Sequence, residues 1–373
     1  MKNLTLIFAF SLTIQLGCAQ DNPPMIETPT ETNYSYEVVV EGIDIPWGMA
    51  IINSNELLVT EKSGTLYYVK DGQKTAVKGL PDIYVRGQGG LLDVALHPNF
   101  SKNNVIYMTM GISAGENEEG GNTALYHATL NGTELSNVNL LYKASPNSKK
   151  GQHWGSRIVF DQEGHVYFGV GDRGNRDVNP QDLTRDGGKI YRLNLDGSIP
   201  EDNPFVNNSE AKKAIFSYGH RNPQGMVIHP KTGQVWENEH GPKGGDEINI
   251  IKKGVNYGWP GITYGVNYSG TPITNKTSKP DMEQPFYYWV PSIAPSGMAF
   301  STSGVYKKWK DNLFVGSLKF EYLERIVIKR NKVVKREKVL EKIGRVRNVV
   351  EGPDGYLYLG VEGKGIVKIV PES

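Results

Sequence analysis

Short runs of alternating apolar and polar residues follow one another from Tyr36 to the end of the chain, and Gly, Asn, Asp or Pro ends most of them. No long stretch keeps the 3.6-residue apolar period of an amphipathic helix. Alternation with a period of two, interrupted by turn residues, is typical of strands that bury one face. The pattern therefore predicts an all-β protein.

A weak repeat recurs six times along the chain: an apolar strand, a turn such as Pro-Asp-Gly, and a second apolar or aromatic strand. Consecutive copies start 45 to 72 residues apart, near the roughly 40 to 50 residues of a four-stranded propeller blade with loop insertions. Six copies predict a six-bladed β-propeller of four-stranded antiparallel blades, which we place at residues 36–373. A β-sandwich is the alternative, but it does not predict six such repeats. The copies begin at Met49, Val94, Ile158, Met226, Met298 and Val349.

Three polar segments that contain Gly and Pro interrupt the strand pattern, at residues 174–186, 203–213 and 258–284. We predict that they are loops. In a propeller the loops gather at the two ends of the central channel, so residues distant in sequence can meet in one axial pocket.

The first 18 residues have the pattern of an export signal. Lys2 precedes an apolar run from Leu4 to Leu16 that is too short to span a membrane. The following Gly17-Cys18-Ala19 resembles the site of a bacterial lipoprotein signal, in which the cysteine is lipidated; an ordinary signal peptide is the alternative. Residues 19–35 are polar and Pro-rich, and we expect a disordered tether. These features predict an exported, periplasmic protein anchored to a membrane only through Cys18.

Composition excludes several classes of function. The 41 Lys and Arg residues nearly balance 40 Asp and Glu, so no global field favours nucleic acid. Residues 329–342 are locally basic but include Glu337 and Glu341, and we predict two blade strands with a solvated face. A single cysteine excludes internal disulfides and CxxC zinc or redox motifs. Residues 169–174 match GxGxxG, yet no amphipathic helix follows to hold a pyrophosphate, which excludes a Rossmann site.

Polar clusters flank the repeats, and equivalent positions on different blades face the same axial pocket. Arg345 and Arg347 are two residues apart on a predicted strand, so their side chains point the same way. Together with Lys319 from the preceding blade they would repel one another unless an anion lay between them. We expect a ligand with several carboxylates.

The segment from His240 to Asn249 has the composition of a hard-cation site. Its Gly-Pro-Lys-Gly-Gly stretch exposes backbone carbonyls, and Asp246 and Glu247 add carboxylates. Calcium prefers such oxygen ligands. A Gly-rich turn with solvated acids remains the alternative at this point.

Taken in order, these motifs resemble the soluble family of glucose/sorbosone dehydrogenases that depend on pyrroloquinoline quinone (PQQ), and within it the bacterial aldose sugar dehydrogenases. The resemblance covers nearly everything after residue 36. It implies a six-bladed propeller that uses PQQ and calcium to oxidise aldoses at the anomeric carbon to lactones. The loops are shorter than in the glucose-specific members, so a broad aldose range is expected. The matching motifs are Pro46-Trp47-Gly48-Met49, residues 87–92, 153–157, 171–172, 219–225, 239–260, 295–298, 316–319 and 345–347.

The resemblance also implies roles for individual residues. His153 corresponds to the general base, Asp172 to its orienting partner and a substrate contact, and Arg221 to the group that stabilises charge on the reduced quinone. Gln88 would contact cofactor and substrate. The remaining implied positions are Asn222 at the quinone oxygens; Lys319, Arg345 and Arg347 at the PQQ carboxylates; the carbonyls of Gly241 and Pro242 at the cofactor's calcium; and Glu247 with the Tyr257 carbonyl at a structural calcium.

Two other functions fit the same scaffold. One is a calcium-dependent lactonase, and the other is a non-catalytic propeller that binds sugar or protein. For the dehydrogenase, an anchor at Cys18 would bring the enzyme near a quinone or cytochrome electron acceptor at the membrane.

Overall fold

Four-stranded antiparallel sheets, one for each predicted repeat, make up the computed structural model of the protein, which describes residues 26–27, 34–113 and 119–371. Over these ranges the chain forms 25 strands, numbered in chain order, and one short helix, α1 (Phe100–Asn103). The first three blades are β3 (Pro46–Asn53), β4 (Glu56–Glu61), β5 (Thr65–Lys70) and β6 (Gln73–Ala76); β7 (Leu91–Leu96), β8 (Val105–Ser113), β9 (Gly121–Asn131) and β10 (Glu134–Lys143); and β11 (Ile158–Phe160), β12 (His165–Val170), β13 (Lys189–Asn194) and β14 (Ile215–Tyr218).

The second half of the ring repeats this plan. Each blade runs from an inner strand outwards, and the inner strands of neighbouring blades contact one another in a closed ring. The fourth to sixth blades are β15 (Pro223–Ile228), β16 (Val235–Glu239), β17 (Asp246–Ile250) and β18 (Tyr287–Trp289); β19 (Pro295–Phe300), β20 (Leu313–Ser317), β21 (Tyr322–Lys329) and β22 (Lys332–Val339); and β23 (Val346–Glu351), β24 (Leu357–Val361), β25 (Gly365–Pro371) and β2 (Tyr34–Val40).

The six-bladed propeller is thus confirmed, and every repeat copy begins on an inner strand. Met49 on β3, for example, pairs with Val59 on β4, across the turn that the repeat pattern predicts. Each inner strand starts at one end of the channel, and all six starts meet there. We call this end the entry face.

The last blade closes the ring. β2 pairs antiparallel with β25, so the first long strand completes the sheet formed by the end of the chain. This strand starts at Tyr34, two residues before the boundary that the sequence suggested. Within the predicted tether, β1 (Ile26–Glu27) pairs in parallel with β22. The predicted signal segment and Cys18 lie outside the described residues.

The core lies between adjacent blades, where the middle strands bury both faces. All five residues of β20 and all five of β24 are buried. Between the fifth and sixth blades, Phe314, Leu323 and Leu359 are completely buried. Each such side chain contributes about 1.5–3 kcal/mol by leaving water, so stacking of the blades stabilises the ring.

The loop predictions are also confirmed, since residues 174–186, 203–213 and 258–284 contain no strand. The basic run at 329–342 forms the end of β21 and the outer strand β22, as expected. In the described part of the chain, no helix has the length and apolar character needed to cross a membrane.

Candidate active site

Two cavities lie side by side at the entry face. The axial cavity, of about 280 Å³, is lined by residues from all six blades, among them Gln88, His240, Arg345, Arg347 and Glu362. The side cavity, of about 270 Å³, is formed mainly by the loops that follow β12 and β17. Its lining includes His153, Asp172, Arg221, Pro242, Trp259 and Tyr268.

His153 lines the side cavity and is hydrogen-bonded to Gln88, which lines the axial cavity. Its backbone N–H donates to Gln88 Oε1 at 2.8 Å, which links the start of the third blade to the start of the second. The backbone of His153 is left-handed, with a φ of 57°, a conformation that costs a non-glycine residue of order 1–3 kcal/mol. The turn therefore holds the imidazole in an orientation that an ordinary loop does not favour.

The imidazole of His153 is paired with a carboxylate. Nδ1 lies 2.6 Å from Oδ1 of Asp172. An ionised carboxylate only accepts hydrogen bonds, so Nδ1 carries the proton and Nε2 keeps its lone pair. Burial lowers the pKa of His153, and the nearby Arg221 charge adds to this, while Asp172 opposes both. The result is a neutral imidazole with a free basic nitrogen.

Asp172 is buried and held by several donors. Besides His153, the backbone N–H of Gly174 donates to Oδ1 at 2.7 Å and the indole Nε1–H of Trp259 donates to Oδ2 at 2.9 Å. Burial alone would raise the pKa of Asp172, but the hydrogen bonds from His153 and Trp259 and the charge of Arg221 lower it below its usual range. Asp172 is therefore a stable anion beneath the base.

Arg221 lines the side cavity, and Asn222 Oδ1 accepts from the backbone N–H of Gly155, a residue of the axial-cavity lining, at 3.3 Å. Glu239 accepts hydrogen bonds from the backbone N–H groups of Arg221 and Asn222, at 2.5 and 3.1 Å, and so fixes this turn. The Arg221 guanidinium donates to the His240 carbonyl at 2.9 Å. Among the described atoms, Arg221 Nε and Asn222 Nδ2 are buried donors without a hydrogen-bond partner. Such donors are costly to leave unpaired, and they suit a ligand rich in oxygen.

Arg345 and Arg347 point the same way, as the spacing predicted, but an internal anion already lies between them. Glu362 accepts from Arg345 Nε at 2.6 Å and from Arg347 Nε at 3.0 Å. A ligand was expected to supply the anion between the two guanidiniums, but Glu362 of the protein itself supplies one. The charges of Arg345, Arg347 and Glu362 still sum to a positive value. Lys319 is absent from the lining of the axial cavity and lies exposed over the ring of Phe320.

Asp246 braces the loop that carries the Gly241 and Pro242 carbonyls, the second of which accepts from Ser292 Oγ at 3.3 Å. Oδ1 of Asp246 accepts from the backbone N–H of Gly241 and its Oδ2 from that of Ala294, both at 2.8 Å. Asp246 was expected to be available to a cation, but both of its carboxylate oxygens already accept hydrogen bonds from backbone N–H groups. Pro242 lines the side cavity.

A second group of acids is buried behind the site. Glu239 on β16 pairs across the sheet with Glu247 on β17, and Glu237 lies two residues earlier on the same strand. Burial, reinforced by the Glu239 charge, raises the pKa of Glu237 and of Glu247 well above the usual range. In the described structure Glu237 Oε1 and Asn249 Oδ1 are buried and have no hydrogen-bond partner. Carboxylate and amide oxygens that lack a hydrogen-bond donor are suitable ligands for calcium.

This acidic group contains residues that the sequence did not single out. Oxygens of Glu237 and Glu239 and a ring nitrogen of His220 all lie within 4.8 Å of one another. The ring of Tyr257 stacks on that of His220, with 4.6 Å between centroids. Glu247 and Tyr257 therefore border the same cluster. The alternation Glu-Asn-Glu at 237–239 is the signal that could have revealed it, because it places two acids on one strand face.

Glu362, Trp259 and Tyr268 are the other site residues that the sequence analysis missed. Trp259 lies in the matching motif 239–260 and Tyr268 in the predicted loop 258–284, but no residue pattern there assigns either of them a role. Glu362 belongs to the site through its contacts with Arg345 and Arg347.

Comparison with known proteins identifies the family. A family model described as "Glucose / Sorbosone dehydrogenase" matches residues 43–368. The chain belongs to the glucose/sorbosone dehydrogenase family. It is therefore an oxidoreductase.

One relative and two solved structures illustrate the likeness. "Aldose sugar dehydrogenase YliI" of Escherichia coli is 39% identical over 347 residues, which cover 90% of this chain and 93% of the relative. The crystal structure of the soluble E. coli aldose sugar dehydrogenase in the apo-form superposes with a TM-score of 0.86 at 37% identity, covering 91% of this chain and 99% of the other. The PQQ-bound aldose sugar dehydrogenase of Streptomyces coelicolor gives a TM-score of 0.73 at 26% identity, covering 92% and 99%.

Proposed function

We propose that this protein oxidises aldose sugars at the anomeric carbon to lactones, with PQQ and calcium as cofactors. Relatives named aldose sugar dehydrogenase support the substrate class, and the PQQ-bound S. coelicolor structure supports the cofactor. The observation that carries the proposal is the His153–Asp172 pair, which lines the side cavity beside an axial cavity with two guanidiniums.

In this proposal the side cavity receives the sugar and His153 acts as the general base. Nε2 of the neutral imidazole takes the proton of the anomeric hydroxyl as the C1–O bond becomes a carbonyl. Asp172 then stabilises the imidazolium that forms and keeps its ring oriented. PQQ, when bound, supplies the acceptor for the hydride that leaves C1. Arg221 places its positive charge next to this site, where negative charge develops.

The axial cavity offers the groups that would hold a tricarboxylic quinone. Arg345 and Arg347 would provide the guanidiniums for its carboxylates, and Lys319, which follows Leu318 of the cavity lining, would provide a third cation once its side chain turns away from Phe320. Gln88 and Asn222 would contact the ring. The unpaired Asn222 Nδ2 and Arg221 Nε are observations of this structure that fit such a ligand.

Calcium would occupy two places in this proposal. Carbonyls of Gly241 and Pro242, on the loop braced by Asp246, would bind the ion that polarises the cofactor. Glu247 and the Tyr257 carbonyl would hold a structural ion, and the buried Glu237 and Glu239 extend its set of oxygen ligands. We further propose export, with Cys18 as the anchor and a membrane quinone or a cytochrome as electron acceptor.

The test is to titrate the purified apo-protein with PQQ, with and without calcium, and to follow dye reduction with a panel of aldoses. We expect calcium-dependent turnover that falls by a factor of about 10²–10⁴ in His153→Ala while PQQ binding persists. Failure to bind PQQ, or lactone hydrolysis in its absence, would contradict the proposal.

A further inference from the structure

We infer that Trp259 is a positioning residue for the His153–Asp172 pair, so that the loop of residues 258–284 controls the orientation of the base. The inference deepens the proposed function, because it rests on His153 being the base. It is carried by contacts that bring together segments 87 residues apart in the sequence.

The first observation is the contact with Asp172. Oδ1 of Asp172 accepts from His153 and from the Gly174 N–H, while Oδ2 accepts the indole N–H of Trp259 at 2.9 Å. Donors on both oxygens prevent the carboxylate from rotating about its last bond. The hydrogen bond to His153 therefore keeps one geometry during the reaction.

The second observation is that the indole itself is fixed. The backbone N–H of Trp259 donates to the Gly219 carbonyl at 2.9 Å, and its carbonyl accepts from Gln181 Nε2 at 2.8 Å. Trp259 is 6% exposed. Two other loops thus hold the residue that holds Asp172.

The third observation is that Trp259 also contacts Arg221. The guanidinium carbon lies 5.4 Å from the centroid of its ring, within the range of a cation–π interaction. One side chain therefore touches both the acid behind the base and the cation beside it. A residue needed only to fill space would not require this combination of a polar edge and a ring face.

Removing the indole N–H has a defined electrostatic consequence. Asp172 loses one donor, so its negative charge interacts more strongly with His153 and favours the imidazolium. The other groups that act on His153 are Arg221 and Arg173, whose charges lower its pKa, and the neighbouring His240, which burial keeps neutral, with a pKa of about 3. Because these groups remain in place, the pKa of His153 should rise.

The experiment uses Trp259→Phe, which keeps an aromatic ring but lacks the donor. NMR titration of the His153 ring in the apo-protein should show a pKa higher by roughly 0.5–1 unit, the equivalent of one lost hydrogen bond. In the PQQ-loaded enzyme kcat should fall about 10- to 100-fold, with the PQQ dissociation constant unchanged. Trp259→Gln retains an N–H donor, and its His153 pKa should stay near that of the wild type.

The matched control is Trp289→Phe. The indole of Trp289 also donates to a buried carboxylate, Glu324, at 3.0 Å, but it lies outside the side and axial cavities. This variant should lower stability without moving the pKa of His153.

An unchanged His153 pKa in folded Trp259→Phe would overturn the inference, as would an equal shift in Trp289→Phe. If Trp259→Phe does not fold, a shifted pKa in Trp259→Gln overturns it instead. The titration needs neither cofactor nor sugar. A wild-type protein that oxidises no aldose would therefore refute the proposed function while leaving this result to be judged separately.

Discussion

Replacing Glu362 with Gln leaves the guanidiniums of Arg345 and Arg347 side by side without the charge that holds them. Arg347 donates to Glu362 through both Nε and Nη2, and both side chains are about 15% exposed. Hydrogen bonds to a charged group contribute about 1.5–3 kcal/mol each. Arg345 is 45% exposed, so its contact adds at most about 1 kcal/mol.

Gln keeps an acceptor oxygen, and we therefore expect Glu362→Gln to lower the free energy of unfolding of the apo-protein by about 1–3 kcal/mol at pH 7. For a propeller of this size that corresponds to a Tm lower by about 1–4 °C. Differential scanning calorimetry of both proteins without cofactor measures the change. The matched control is Glu37→Gln, because the Glu37–Lys368 pair is 3.3 Å apart and Glu37 is 62% exposed, and no measurable shift is expected there.

The effect should also depend on pH in one direction. Burial alone would raise the pKa of Glu362, but the Arg347 charge and the hydrogen bonds from both arginines lower it below the usual range. A carboxyl whose pKa is lower in the folded state stabilises the protein above its unfolded pKa, and this contribution is lost as the pH falls through the folded pKa. The Tm difference between wild type and Glu362→Gln should therefore shrink below about pH 4. Equal Tm values at pH 7, or a difference that grows in acid, would refute this reasoning.

Two further predictions concern the base and the acidic cluster. Because burial lowers the pKa of His153 below 6.5, kcat/KM should fall as the pH drops through a value under 6.5, and an acidic limb above that value in a pH–rate profile would contradict the assignment. Chelation by EGTA should lower the Tm of the wild type, since an ion present at 100 times its Kd adds about 2.7 kcal/mol. Glu237→Gln should reduce the drop in Tm that EGTA causes. A Tm that changes neither with calcium nor with the substitution would show that the buried acids need no ion.

Several features of the fold follow from the sequence because local backbone geometry determines them. Alternation of apolar residues and the turns that interrupt it mark each inner strand, and all six repeat copies begin on one. Arg345 directly precedes β23 and Arg347 lies on it, and both reach Glu362, as their two-residue spacing predicted. The family resemblance, rather than spacing, suggested that His153 and Asp172 act together.

Other parts of the site depend on how the ring closes and on the paths of its loops. Glu362 follows β24 and lies beside the two arginines to which it is hydrogen-bonded. Trp259 comes from the loop between the third and last strands of the next blade, β17 and β18, to reach Asp172. The Asp246 carboxylate was expected to be open to a cation, whereas backbone N–H groups of Gly241, in the same loop, and of Ala294, 48 residues away, bind its two oxygens.

There is a physical reason why the strands could be predicted from the sequence and the contacts between distant segments could not. Which face of a strand a residue occupies is set by its immediate neighbours in the chain, so the sequence by itself determined the blades and the direction of their side chains. Hydrogen bonds between blades require atoms to meet within about 3 Å, and that distance is set by the stacking of six sheets and by long loops without a repeating pattern. Only the tertiary structure decided which carboxylate, indole or amide completes the site.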